Sequence, residues 1–147
     1  MPTLAKIRRR GWIGAVLALL SAAAFAQGPR DRLVGTWRGT SLCLDRAALP
    51  ACTDEEVVYD IAALQGDTDA LVVKADKIVD GRRLPMGEVT FRPDIATGRW
   101  VSEIKTPSVH ALWHLALRDG ALHGGMMLLP STTAVRIIEL KRTQGSK

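Results

Sequence analysis

Val109–Leu129 reads VHALWHLALRDGALHGGMMLL, and this stretch decides the fold. Alternate residues of a strand face opposite ways, so Trp113, Leu115 and Leu117 share one face. Asp119-Gly120 supplies a two-residue hairpin turn. With that turn, Leu122, Gly124, Met126 and Leu128 fall on the face of Trp113. One side of the hairpin is thus wholly apolar and predicts a core in which Trp113, Leu115, Leu122 and Met126 are buried together. The other side carries His110, His114 and His123, all the histidines of the chain.

The same β pattern extends outward in both directions. Runs rich in Val, Ile, Thr and Trp predict strands over 33–44, 56–64, 70–79, 84–92, 99–105, 109–118, 121–129 and 132–142. The breaks between them carry turn residues, such as Gln65-Gly66-Asp67, Asp80-Gly81, Thr97-Gly98 and Pro130-Ser131. Only 45–54 reads as helical, and Pro50 limits it to a short piece. Short connections leave no room for parallel crossovers. The expected fold is all-β, an antiparallel up-and-down meander of about eight strands in a closed or nearly closed barrel. In the 70–92 hairpin, an odd-length loop at Asp80-Gly81 aligns Leu71, Val73 and Ala75 with Gly87, Val89 and Phe91. An even loop buries Glu88 and Arg92 instead, so the odd loop is expected.

The N-terminus reads as a secretory leader. Lys6, Arg8, Arg9 and Arg10 precede the apolar run Gly11–Ser21, and Ala24-Phe25-Ala26 supplies a small-x-small cleavage site. Residues 1–26 are therefore expected to be a cleaved signal peptide, and 27–147 a single domain in the periplasm or outside the cell. No membrane span is expected to remain after cleavage. Of the 20 Lys and Arg, four lie in the leader, leaving 16 against 15 Asp and Glu. That balance gives no support for a nucleic-acid partner. Cys43 and Cys52 are the only cysteines, and an oxidising compartment predicts that they form a disulfide.

Candidate chemistry is sparse. No G-x-S-x-G elbow, H-E-x-x-H pair or phosphate loop occurs, so no catalytic residue is assigned and no cofactor is expected. Asp54-Glu55-Glu56 reads as a solvated loop end, because neighbouring strand residues point to opposite faces. His123 lies diagonally from His114, within about 7–8 Å. The pair is the candidate for metal, but His110 sits about 13 Å along the strand from His114, too far to share one ion. Gly124-Gly125 marks a bulge, a close approach to a ligand, or tight packing beneath Trp113.

Leu33-Val-Gly-Thr-Trp-Arg-Gly-Thr40 resembles the Gly-x-Trp opening strand of lipocalin-like (calycin) barrels, through Gly35 and Trp37. The resemblance implies that Trp37 plugs one end of the barrel beneath a basic residue from the last strand, Arg136 or Arg142. Trp37, Trp100, Arg136 and Arg142 are the implied plug or ligand-binding residues. It also implies a binder of a small hydrophobic ligand at the barrel mouth. The alternative is a periplasmic interaction protein or inhibitor, similar to the small exported β-barrel inhibitors of proteases or lysozyme, acting through its loops. An enzyme built on His114 and His123 is a third reading. A hollow of about 300 Å³ or more inside the barrel favours the binder.

Overall fold

The computed structural model describes residues 28–143, so the leader and the proposed start at Gln27 lie outside the described residues. Eight strands follow one another: β1 (Gly35–Cys43), β2 (Glu55–Ala63), β3 (Leu71–Val79), β4 (Arg82–Asp94), β5 (Arg99–Lys105), β6 (His110–Arg118), β7 (Ala121–Leu128) and β8 (Thr133–Arg142). Each pairs antiparallel with the next, and β8 returns to β1 to close the barrel. Among the described residues there is no helix, and hence none long and apolar enough to cross a membrane. Within 45–54 the Leu49 amide donates to Asp45 O at 3.2 Å and the Cys52 amide to Leu49 O at 3.0 Å. These are isolated turns, and Pro50, with no N–H to give, stops a helix from growing out of them. Cys43 and Cys52 are disulfide-bonded, with Cα atoms 5.9 Å apart.

The hairpin of β6 and β7 has the expected register: Leu117 faces Leu122, Leu115 faces Gly124 and Trp113 faces Met126. Leu115 and Leu122 are fully buried, but Trp113 and Met126 are only half-buried. The joint burial of all four is therefore corrected. The first pair sits in the filled half of the barrel, the second nearer its other end.

The hairpin of β3 and β4 reaches the expected alignment by a different route. Leu71 faces Phe91, Val73 faces Val89 and Ala75 faces Gly87. The loop is nevertheless even, a two-residue Asp80-Gly81 turn with φ of 50° and 74°. A bulge opposite Ala75/Asp76 inserts Met86 and restores the parity. Of β4, only Arg92–Asp94 pair with β5, at Arg99–Val101. The longer half of β4 leans on β3 alone, where Arg83 bonds Asp76 at 2.6 Å and also reaches Asp60. The wall between β4 and β5 is thus open over most of its height.

Packing is uneven along the barrel axis. Trp37, Ile61, Leu71, Phe91, Leu115, Leu122 and Leu140 fill the end where β1 begins. Burying each such side chain is worth roughly 1.5–3 kcal/mol, so this half anchors the fold. At the other end Ser41, Val57 and Ala111 are buried too, and Glu55, Lys77, Trp113, Met126 and Arg136 are half-buried among them.

Candidate functional site

At the filled end, the Arg142 guanidinium lies 4.3 Å from the centre of the Trp37 ring. It also donates to Val34 O at 2.6 Å and to Arg32 O, while the Trp37 indole donates to Leu33 O at 2.8 Å. Gly35 explains its own place in the Gly-x-Trp pattern. A Cβ there meets the Arg142 guanidinium, and its φ of +133° suits glycine alone. Trp100 is buried in the same half, 7% exposed. Of the two arginines left open by the sequence, Arg142 is thus the one over Trp37.

Arg136 points into the opposite end. Its Nη1 donates to Ser41 Oγ at 2.6 Å and approaches Glu55 Oε2 at 3.5 Å. Its Nη2 reaches Cys52 Sγ at 3.2 Å and Thr53 O at 3.1 Å. Lys77 Nζ stands 3.9 Å from Glu55 Oε1. Glu55 is therefore no solvated loop end: parity with Val57 and Tyr59 turns it inward, against two cations. Asp54 and Glu56 do stay outside, paired with Arg46 and Arg38. The inward cluster of Ser41, Glu55, Lys77 and Arg136 was not visible as a motif, because its members come from four separate strands.

Trp113 packs edge-on against Tyr59 and Phe91, with ring centres 6.4 Å away in each case. Its Nε1 is buried and has no hydrogen-bond partner. A buried donor left unmade costs about 1–3 kcal/mol. Burial pushes the Tyr59 phenol well above its ordinary pKa; Arg136 opposes that shift and Glu55 adds to it. Beyond Trp113, Leu84 and Met86 are 42% and 41% exposed at the unpaired part of β4.

On the outer face, His114 and His123 line one furrow of about 400 Å³ with Arg99, Arg118 and Asp119. His110 is elsewhere, bonded to Glu103 at 2.6 Å. Among the described residues no three His, Cys, Asp or Glu side chains gather as a metal site. Gly124 and Gly125 prove to be packing positions. A Cβ on Gly124 meets Leu115 Cδ2 at 2.7 Å, and one on Gly125 meets Arg136 O at 2.9 Å and His114 Cε1 at 3.0 Å. The irregularity in this ladder comes one step later, opposite Met126 and Met127, where Val135 of β8 is the extra residue. Two further spaces, of about 330 and 430 Å³, lie outside the sheet near Pro29 and near Gln65. None of these three hollows is lined by Tyr59, Trp113 or Arg136, so the space of about 300 Å³ that favours a binder is not among them.

Neither a protein-family model nor a curated protein matches the chain. Solved structures do. The siderocalin Ex-FABP, said to function through dual ligand specificities, superposes with a TM-score of 0.51 at 14% identity, over 79% of this chain and 77% of its own. The REP1-NXSQ fatty acid transporter gives 0.49 at 14% identity, over 78% and 98%. A point mutant of the fluorescent protein UnaG gives 0.47 at 15% identity, over 78% and 98%. At these identities the likeness is one of architecture. The fold is a lipocalin-like, calycin-type barrel of eight antiparallel strands.

Proposed function

We propose that the protein is an exported barrel that binds a small hydrophobic ligand in the half of the lumen bounded by Trp113, Tyr59 and Arg136. The observation that carries this reading is Trp113, an inward aromatic that is only half-buried and whose buried Nε1 has no acceptor. An apolar ligand with one hydrogen-bond acceptor covers the ring and satisfies the donor together. Trp37, Trp100 and Arg142 close the far end. Arg136 and Lys77, facing the single carboxylate of Glu55, leave the open end with surplus positive charge. The unpaired half of β4, with Leu84 and Met86 exposed, is the way in. A like-folded siderocalin that works through dual ligand specificities is in keeping with a barrel of this kind.

Native mass spectrometry of protein purified from its own host tests the reading. A retained small molecule that is lost in Trp113→Ala is the expected result. Protein that never retains a ligand, and whose Trp113 fluorescence ignores every hydrophobic probe, overturns it. N-terminal sequencing of the same material should begin at Gln27; a start at Met1 or Pro2 removes the exported part.

A second reading, an interaction or inhibitor protein, draws on one observation. Leu44 stands 55% exposed within the disulfide-held loop of Cys43 and Cys52. A protein-sized adduct in the same spectra, lost in Leu44→Asp, favours that reading.

A further inference from the structure

The furrow on the outside of β5–β8 has features of a site separate from the lumen. Arg99 and Arg118 line it, and among the described residues neither takes part in an ion pair. Most other arginines among the described residues do have such partners: Arg30, Arg38, Arg46, Arg83, Arg92 and Arg136 each face a carboxylate. Asp119 also lines the furrow, so two guanidinium groups there are set against one carboxylate. The lining itself is thus left positive, with Glu139 on its border opposite His123.

Gly125 sets how His114 lies in the furrow. It sits between His114 on β6 and Ile137 on β8, and with no side chain of its own it lets the His114 ring pack down on the sheet at the furrow's edge. The His114 Nδ1 is buried with no partner. Burial, aided by Arg99 and Arg118, holds the His114 imidazole below its ordinary pKa. Ile137, 49% exposed, forms an apolar bank. At about 400 Å³ the space falls within the range of small-molecule sites.

We propose that this outer furrow binds a small organic carboxylate, with the anion between Arg99 and Arg118 and its apolar body against Ile137 and His114. Guanidinium groups suit a carboxylate geometrically, because their N–H donors match its two oxygens. The bank of Ile137 favours an organic anion over an inorganic one, which leaves that apolar surface wet. The site does not depend on the lumen, whose walls face the other side of the same strands.

Titration with 4-phenylbutyrate, and in parallel with the neutral 4-phenylbutanol, tests the proposal by two-dimensional NMR. The carboxylate should shift the ring signals of His114 and His123 and the Gly125 amide to saturation. The Trp113 indole signal should stay in place at the same concentrations. Arg99→Gln with Arg118→Gln should weaken binding by about tenfold or more, equivalent to about 1.4 kcal/mol. Ile137→Glu, which sets a carboxylate on the bank, should abolish it. Unchanged amide spectra elsewhere establish that each variant is folded. The proposal fails if the furrow signals do not move, if the alcohol binds as well as the acid, or if the double arginine variant binds unchanged. Shifts confined to the Trp113 side overturn it too, while leaving the lumen reading intact.

Discussion

Arg142 stacks on Trp37 at 4.3 Å, while Arg136, on the same strand, faces the other end of the barrel. The two arginines of β8 thus serve opposite ends of the barrel. The contact at Trp37 combines a cation–π interaction with two carbonyl hydrogen bonds, so Arg142→Ala is expected to cost about 1–3 kcal/mol. Trp37→Ala empties a fully buried aromatic site and should cost about 3–5 kcal/mol. Gly35→Ala should also destabilise, because its new Cβ displaces the Arg142 guanidinium. Urea denaturation of the three variants measures all of these. A neutral Gly35→Ala contradicts the account given of the Gly-x-Trp pattern.

Trp113 separates stability from binding. Trp113→Ala should cost about 3 kcal/mol, the low end for an aromatic core truncation, since the ring is only half-buried. Trp113→Phe keeps the edge contacts to Tyr59 and Phe91 and removes the unpartnered N–H. Its stability should stay within about 0.5 kcal/mol of the parent or rise. Its hold on a lumen ligand should weaken. Denaturation set beside native mass spectrometry reads both, and a Phe variant that retains ligand fully removes the indole from the site.

The disulfide gives a prediction of a different kind. Joining Cys43 to Cys52 closes a ten-residue loop, worth about 2.7 kcal/mol in the chain-entropy treatment. Arg136 Nη2 donates to Cys52 Sγ at 3.2 Å, so the bond also supports the lumen arginine. Cys43→Ala with Cys52→Ala should lose about that much stability, read as a lower denaturation midpoint. An equal midpoint places the loop among parts that contribute nothing to folding.

The β6–β7 hairpin was legible because parity and an Asp-Gly turn are both local. The same local rules gave the right facing residues in β3–β4 but the wrong loop. A bulge at Met86 has the same effect on parity as one extra turn residue, and a single sequence does not distinguish them. The candidate site was harder to read. Arg136 and Arg142 both lie on β8 with inward parity, and only the barrel's length separates their ends. Glu55 was hidden within an acidic run whose other members do face solvent. Its inward direction follows from Val57 and Tyr59, two and four places along β2. Lys77 and Ser41 belong to other strands altogether, and their meeting with Glu55 is a product of closure.

Acid should weaken the fold through His114 before it reaches the carboxylates. Desolvation, with Arg99 and Arg118 adding to it, lowers the folded pKa of His114 from 6.5. The folded protein then binds fewer protons at this group than the unfolded chain does, so stability falls as pH drops through the unfolded value. Asp54, Asp60 and Asp67 are held below their ordinary 3.8, and the stability they contribute is present above that value. It is lost only as pH falls through their lower folded values. The interval from about pH 7 to about pH 5 thus isolates histidine titration. The denaturation midpoint should fall across it in the parent protein. In His114→Gln the fall should be reduced, whereas His123→Gln should retain most of it. A parent whose midpoint is flat over this interval, or a His114→Gln variant with the full slope, rules out the buried ring as the source.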